Sequence, residues 1–386
     1  IEIDASKHIV LPGLVNTHHH LFQTLTKAII KAQNASLFDW LKILYPIWSR
    51  ITSVELKSAV KIGLSELMTS GCTTTSDHLY IFPNGIKLED EIEVAQSLGI
   101  RFHSTRGSMS IGESNGGLPP DYLVEDESFI IKDSQDIINK WHDPSHGSMI
   151  RIALAPCSPF SVSKELMRDT AILAREYNVG LHTHLAENSD DVEYSKRMFG
   201  LTPGQYIEEL GWIGKDVWHA HCVKLNNEEI DLFSRTGTSV SHCPCSNMRL
   251  GSGILPLNKM LDKGVNIGLG VDGSASNDSG NLLNEARQAL YLQRVNETNN
   301  FYLNARNALW LATAGGATAL NRDDIGSIKV GNCADFAIYD STSLELAGSV
   351  EDPIGGLIFC GPLKTRWTIC NGCLLYTSPS PRDSSQ

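Results

Sequence analysis

No run of about 18 apolar residues occurs in the 386-residue chain, so nothing in it reads as a membrane-spanning helix. The first residues lack a basic start followed by an apolar stretch, so no secretory leader is read and the cytoplasm is the expected compartment. Positive charge is scarce: 32 Lys and Arg stand against 44 Asp and Glu, a net charge of -12. A face basic enough to hold nucleic acid is therefore not expected. No internal repeat is present. No disulfide framework is legible either, because the nine cysteines are odd in number and scattered, as in reduced cytosolic enzymes. Cys370-Asn371-Gly372-Cys373 has the spacing of half a zinc knuckle or a redox pair, but no second pair completes it. Asn34-Ala35-Ser36 fits the glycosylation pattern and carries no weight without a leader.

What is present is an alternation of short β-branched runs with amphipathic helical stretches, on a composition that is 41% hydrophobic. Strands are expected near 10–17, 72–77, 99–105, 149–156, 179–185, 216–222, 237–243 and 265–271. One intervening helix is well marked: Thr52-Ser53-Val54-Glu55 forms a capping box, and Leu56, Ala59, Val60, Leu64 and Leu67 keep helical spacing until Gly71. Strand and crossover repeated in this way predict a (β/α)8 TIM-like barrel over residues 9–322. Residues 1–8 and 323–373 are expected to give a small, incomplete β-sandwich from the two chain ends. The polar stretch 374–386 is expected to be a disordered tail. Two insertions are too long for ordinary βα loops: one carries Leu37-Phe38-Asp39-Trp40-Leu41 and Tyr45-Pro46-Ile47-Trp48, the other runs through Glu113 to Pro120. Both leave the ends of strands where barrel active sites are built, so Trp40 and Trp48 either wall a flat substrate or pack a lid.

The apolar run Ile9–Val15 ends in Asn16-Thr17-His18-His19-His20. Side chains alternate along a strand, so His18 and His20 share a face and can grip one metal ion, while His19 points away. Further candidates all fall at expected strand ends: His182 and His184 with Glu187, His219 and His221, His242, and Asp272 in Gly270-Val271-Asp272-Gly273. Periodicity cannot choose within each histidine pair. The residue nearer the mouth of the barrel lies roughly 6–7 Å further along, which favours His184 and His221. Three imidazoles and a carboxylate on a divalent ion with one open position describe a catalytic site, where a water can reach a pKa near 7. Glu187, in the loop over the mouth, is placed to move its proton.

Together these residues resemble the amidohydrolase superfamily in its mononuclear aminohydrolase branch. The motifs that carry the resemblance are Pro12-Gly13-Leu14-Val15-Asn16-Thr17-His18, His184-Leu185-Ala186-Glu187, Ala220-His221, His242-Cys243-Pro244 with Ser246-Asn247, and Val271-Asp272-Gly273. The resemblance implies one divalent ion, zinc first and iron as the alternative, on His18, His20, His184 and Asp272. It implies Glu187 as proton shuttle, His221 on the tetrahedral adduct, and Asp272 relaying a proton to the leaving ammonia. The substrate implied is a small amino-substituted purine-like heterocycle. 8-Oxoguanine giving urate comes first, with hydroxyatrazine-type triazines, guanine or isoxanthopterin as alternatives, and a non-catalytic barrel scaffold as the rival class. Gln23 matches a glutamine that guanine deaminases use on the purine. Trp40, Arg106 and Cys157 are the other expected substrate contacts, and the absence of arginine from Ala155–Phe160 argues against guanine. A homo-oligomer is left open.

Overall fold

The structure, a computed structural model, describes residues 2–297 and 302–378. The run Ile9–Val15, expected as part of one strand over 10–17, is divided at Gly13. On one side β1 (His8–Pro12) joins an outer sheet, and on the other β2 (Leu14–Asn16) enters the barrel. Gly13 makes the division possible: a Cβ there would collide with the Thr73 side chain, so only glycine lets the chain pass this close. The outer sheet thus takes residues up to Pro12, past the boundary expected after residue 8.

The barrel closes in sequence order through β2, β3 (Cys72–Leu79), β4 (Arg101–Ser108), β5 (Ile150–Pro156), β6 (Gly180–Leu185), β7 (Val217–His221), β8 (Ser239–His242) and β9 (Asn266–Leu269), with β9 pairing β2 at Leu269 and Asn16. All eight pairings are parallel, as crossover helices require. The helix expected after Thr52 is α2 (Ser53–Thr69), which follows α1 (Leu37–Trp48) and precedes α3 (Leu88–Leu98). The capping box at Thr52 and Glu55 is present, and Leu56, Ala59, Val60, Leu64 and Leu67 face inward. Among the described residues no helix is long and apolar enough to cross a membrane.

The outer sheet is antiparallel, in the order β1, β10 (Phe336–Asp340), β11 (Trp367–Cys370), β12 (Cys373–Thr377). It is tied to the barrel by Asp335, whose carboxylate pairs with the buried Arg101 and accepts from Asn371 N at 2.8 Å, while its carbonyl accepts from Gly13 N at 3.0 Å. Part of the expected tail is therefore strand. Asn371 and Gly372 both take positive φ (49° and 77°), the two-residue turn that suits a hairpin, and fold Cys373–Thr377 back onto β11. Cys370 and Cys373 face each other across this hairpin as free thiols. Residues 379–386 of the expected tail lie outside the described residues.

Candidate metal centre and active site

The ends of the barrel strands are drawn together by Asn16. Its Oδ1 accepts from Val271 N at 2.9 Å, and its Nδ2 donates to His18 O at 3.1 Å and Thr75 Oγ1 at 2.9 Å. One amide thus links β2, β3 and the loop after β9. His18, His20, His184 and Asp272 meet there. Asp272 Oδ1 lies 3.3 Å from Nε2 of both His18 and His20, and His20 Nε2 lies 3.0 Å from His184 Nε2. All four are buried or nearly so.

Each imidazole has its other nitrogen committed. His20 Nδ1 donates to His78 O at 2.7 Å and His184 Nδ1 to Cys157 O at 2.6 Å. His182 Nδ1 donates to Trp218 O at 2.7 Å, which leaves its Nε2 to accept from His18 Nδ1 at 2.8 Å. Backbone oxygens accept only, so all three rings carry their proton on Nδ1 and present a bare Nε2 lone pair inward. Lone pairs facing one another beside a carboxylate repel unless a cation lies between them, and His18 Nε2 has no hydrogen-bond partner. The donor set fits a divalent ion. Burial, followed by mutual repulsion, lowers the pKa of these imidazoles, that of His184 to about 3, so they are unprotonated at neutral pH. Burial alone would raise Asp272, but the surrounding histidines, His18 first and then His221 and His20, hold it well below the usual carboxylate range.

Glu187 and His221 stand beside this cluster. His221 Nε2 is 3.6 Å from Glu187 Oε2 and 3.8 Å from Asp272 Oδ2, while its Nδ1 donates to Asn247 Oδ1 at 2.9 Å. Burial opposes a charge on His221, but Glu187 and Asp272 outweigh it and raise its pKa; burial raises that of Glu187. Glu187 accepts from Ser252 Oγ at 3.1 Å, and its backbone N–H donates to Asp191 at 2.8 Å. Ala186, His221 and Asp272 all take left-handed backbone conformations (φ 48°, 69° and 61°) that non-glycine residues rarely adopt. Such strain concentrates where a side chain must be aimed.

A cavity opens over these groups. Gln23, Trp40 and Cys157 all line it, with Tyr45, Tyr80 and Phe160. Gln23 Nε2 reaches Tyr80 Oη at 3.5 Å, while its buried Oε1 has no partner; a Cβ on Gly273 would occupy the place of that amide. Trp40 donates Nε1 to Ala275 O at 3.3 Å, whereas Trp48 is packed away against Phe22, Trp40 and Tyr45. Residues 113–120 of the second insertion are not part of the lining.

Arg106, expected as a substrate donor, is not brought to the cavity. Its Nε donates to Asp133 at 2.6 Å, Nη1 and Nη2 reach Glu125 at 3.0 and 2.9 Å, and the Phe82 ring covers it at 4.0 Å. Two carboxylates and a ring hold the guanidinium elsewhere. His219 Nε2 donates to Trp212 O at 3.0 Å in the interior, and His19 points away beneath α2. His242 is buried beside His221 with neither ring nitrogen partnered. His78 was not foreseen: it stacks on His184 at 4.9 Å with its Nε2 donating to Ala155 O at 2.8 Å. The only signal was a histidine near the end of an expected strand.

The buried imidazoles give the metal-free protein a definite pH response. Ten histidines (18, 19, 20, 78, 103, 142, 182, 184, 219 and 242) have lowered pKa values, so on acidification the unfolded chain takes up protons that the folded one refuses. Five carboxyls (Asp77, Glu91, Glu187, Asp191 and Glu285) are raised and act in the opposite sense. The histidines outnumber them. The stability of the metal-free protein is therefore expected to fall as pH drops from about 6 towards 4, read as denaturant midpoint against pH. A midpoint that rises over that range would show the rings to be charged in the fold.

The Amidohydrolase family profile matches residues 9–362. The 8-oxoguanine deaminase of Pseudomonas aeruginosa is 48% identical over 361 residues, covering 93% of this chain and 80% of that protein. The hydroxydechloroatrazine ethylaminohydrolase of Pseudomonas sp. (strain ADP) is 34% identical, covering 95% of this chain and 77% of that protein. Among solved structures, atrazine chlorohydrolase TrzN from Arthrobacter aurescens TC1 complexed with zinc superposes with a TM-score of 0.91 at 34% identity, over 96% of this chain and 84% of that one. With barrel, outer sheet and histidine cluster all in place, the chain belongs to the amidohydrolase family.

Proposed function

We propose that the protein hydrolytically deaminates an amino-substituted purine-like heterocycle, 8-oxoguanine to urate and ammonia, with one divalent ion on His18, His20, His184 and Asp272. The observation that carries this is the convergence of three bare Nε2 atoms and the Asp272 carboxylate beneath a cavity that also holds Glu187 and His221. Zinc is favoured over iron because a solved relative is described as complexed with zinc. When bound, the ion supplies Lewis acidity and lowers the pKa of a water.

The chain's own groups supply the proton transfers. Glu187 takes a proton from the attacking water and delivers it to a ring nitrogen, so the carbon bearing the amino group loses aromatic stabilisation and becomes tetrahedral. His221, fixed by Asn247, directs Nε2 at the developing oxyanion. Asp272 passes the second proton to the amino group; the C–N bond breaks, ammonia leaves and the new C–O bond becomes the product carbonyl. Gln23 offers an unpartnered Oε1 to a ring N–H, and Trp40 and Cys157 bound the ring.

The test is ammonia release from 8-oxoguanine, guanine and isoxanthopterin and ethylamine release from hydroxyatrazine, alongside metal stoichiometry. The expected result is preference for 8-oxoguanine at one ion per chain, with guanine poor because Ala155–Phe160 brings no arginine. Turnover of the triazine alone would overturn the substrate assignment. A folded protein that takes up no stoichiometric ion would support the scaffold reading.

A further inference from the structure

Beneath the turn that bears His18 and His20 lies a pair of carboxyl groups that the chemistry above does not use. Helix α3 buries Leu88, Glu91, Ile92 and Ala95 along one stripe, so a glutamate stands where the helical period calls for an apolar side chain. Glu91 is fully buried and Asp77, on β3, nearly so, and the two carboxyls lie within hydrogen-bonding reach of each other. Both oxygens of Glu91 and Oδ2 of Asp77 find no donor elsewhere among the described residues. Two bare carboxylates cannot share a dry site. One proton between them removes a charge and turns the contact into a hydrogen bond. Burial raises both groups, and since Asp77 already accepts from the Leu21 amide while neither oxygen of Glu91 has another donor, the proton belongs on Glu91.

The other oxygen of Asp77 faces the ligand turn. Oδ1 accepts from Leu21 N at 2.7 Å, and Leu21 both follows His20 and opens the 3-10 turn that carries Gln23. The end of β3 grips the same turn twice more, through His78 N to His19 O at 2.8 Å and His20 Nδ1 to His78 O at 2.7 Å. We propose that Asp77 and Glu91 are a proton-sharing positioning pair: Glu91 donates to Asp77, and Asp77, so held, anchors the Leu21 amide and with it the His18-His19-His20 turn and Gln23. The effect on metal affinity rests on the reading of His18 and His20 as ligands.

The test compares E91Q, which keeps a neutral donor of the same shape, with E91L, which leaves Asp77 alone in apolar surroundings. E91Q is expected to hold metal within about twofold of the parent in chelator competition. E91L is expected to lose roughly 10- to 100-fold in affinity, the range for removing support behind a ligand. In difference infrared spectra of metal-free protein, one protonated-carboxyl C=O component present in the parent should be missing from E91Q. Equal losses in E91Q and E91L, or parental affinity in E91L, would overturn the proposal. Should E91L fail to fold, E91Q decides: an unchanged carboxyl band, or a tenfold loss of affinity, overturns it. Because the infrared comparison needs no metal, it reads the pair even if the metal site itself is misassigned.

Discussion

Glu187→Gln is expected to lower kcat by about 10²- to 10⁴-fold, the span attributable to one positioned proton-transfer group, while leaving the metal content at the parental value. Glutamine matches glutamate in shape and can still accept from Ser252 Oγ, which holds the carboxylate at 3.1 Å. Nothing in the arrangement of His18, His20, His184 and Asp272 depends on the Glu187 charge, since each Nδ1 is fixed by an acceptor elsewhere. What the variant loses is the ability to take a proton and return it. The measurement is steady-state kinetics on 8-oxoguanine beside metal analysis of the same sample. KM should change little, because the loss falls on the transition state rather than on binding. A variant that keeps more than about a tenth of the parental kcat would assign the proton transfer to another group; Asp191, beside Glu187 and raised to about 7, would then be the next to test. A variant that loses metal as well would make Glu187 a ligand.

The clustering of the proposed metal ligands was legible because two independent regularities converged on them. Alternation along a strand paired His18 with His20, and distance along a parallel strand separated His184 from His182 and His221 from His219. The structure gives His182 a distinct task, accepting from His18 Nδ1 while donating to Trp218 O, that no spacing rule expresses. Arg106 went wrong for a physical reason. At the end of β4 it is indistinguishable in sequence from a substrate donor, and what decides its place is a pair of acids, Glu125 and Asp133, that arrive from the following loop and helix. Asp77 and His78 escaped notice because the strand expected over 72–77 stops at Asp77, whereas β3 continues to Leu79 and its polar end is wholly enclosed. The break at Gly13 was hidden by an apolar run that serves two sheets in succession. Asn371-Gly372 carried a hairpin signal that two flanking cysteines obscured.

Asp272→Asn is expected to abolish both turnover and the stabilisation that metal confers. In the parent, an ion that binds the folded chain alone adds about 4 kcal/mol to its stability when free metal exceeds Kd by a thousandfold. Asparagine preserves the size of the side chain: its one oxygen can still accept from Gly273 N, now 2.6 Å from Oδ1, while its Nδ2 can donate to Ser246 Oγ, now 2.5 Å from Oδ2. Yet it removes the single negative charge facing Nε2 of His18 and His20. Three neutral imidazoles then face a dication with no compensating anion among them, in a buried setting where charge is screened least. Raising metal concentration should therefore shift the denaturation midpoint of the parent and leave that of D272N almost unmoved. The backbone should tolerate the change, because asparagine is among the residues most at ease in the left-handed conformation that position 272 adopts. Unfolding of the two metal-free proteins should then differ by far less than the metal increment. Equal metal-dependent stabilisation of parent and variant would remove Asp272 from the ligand set and leave it the proton-relay role alone. A variant that loads metal with weakened affinity but shows no turnover at saturating metal would assign it both.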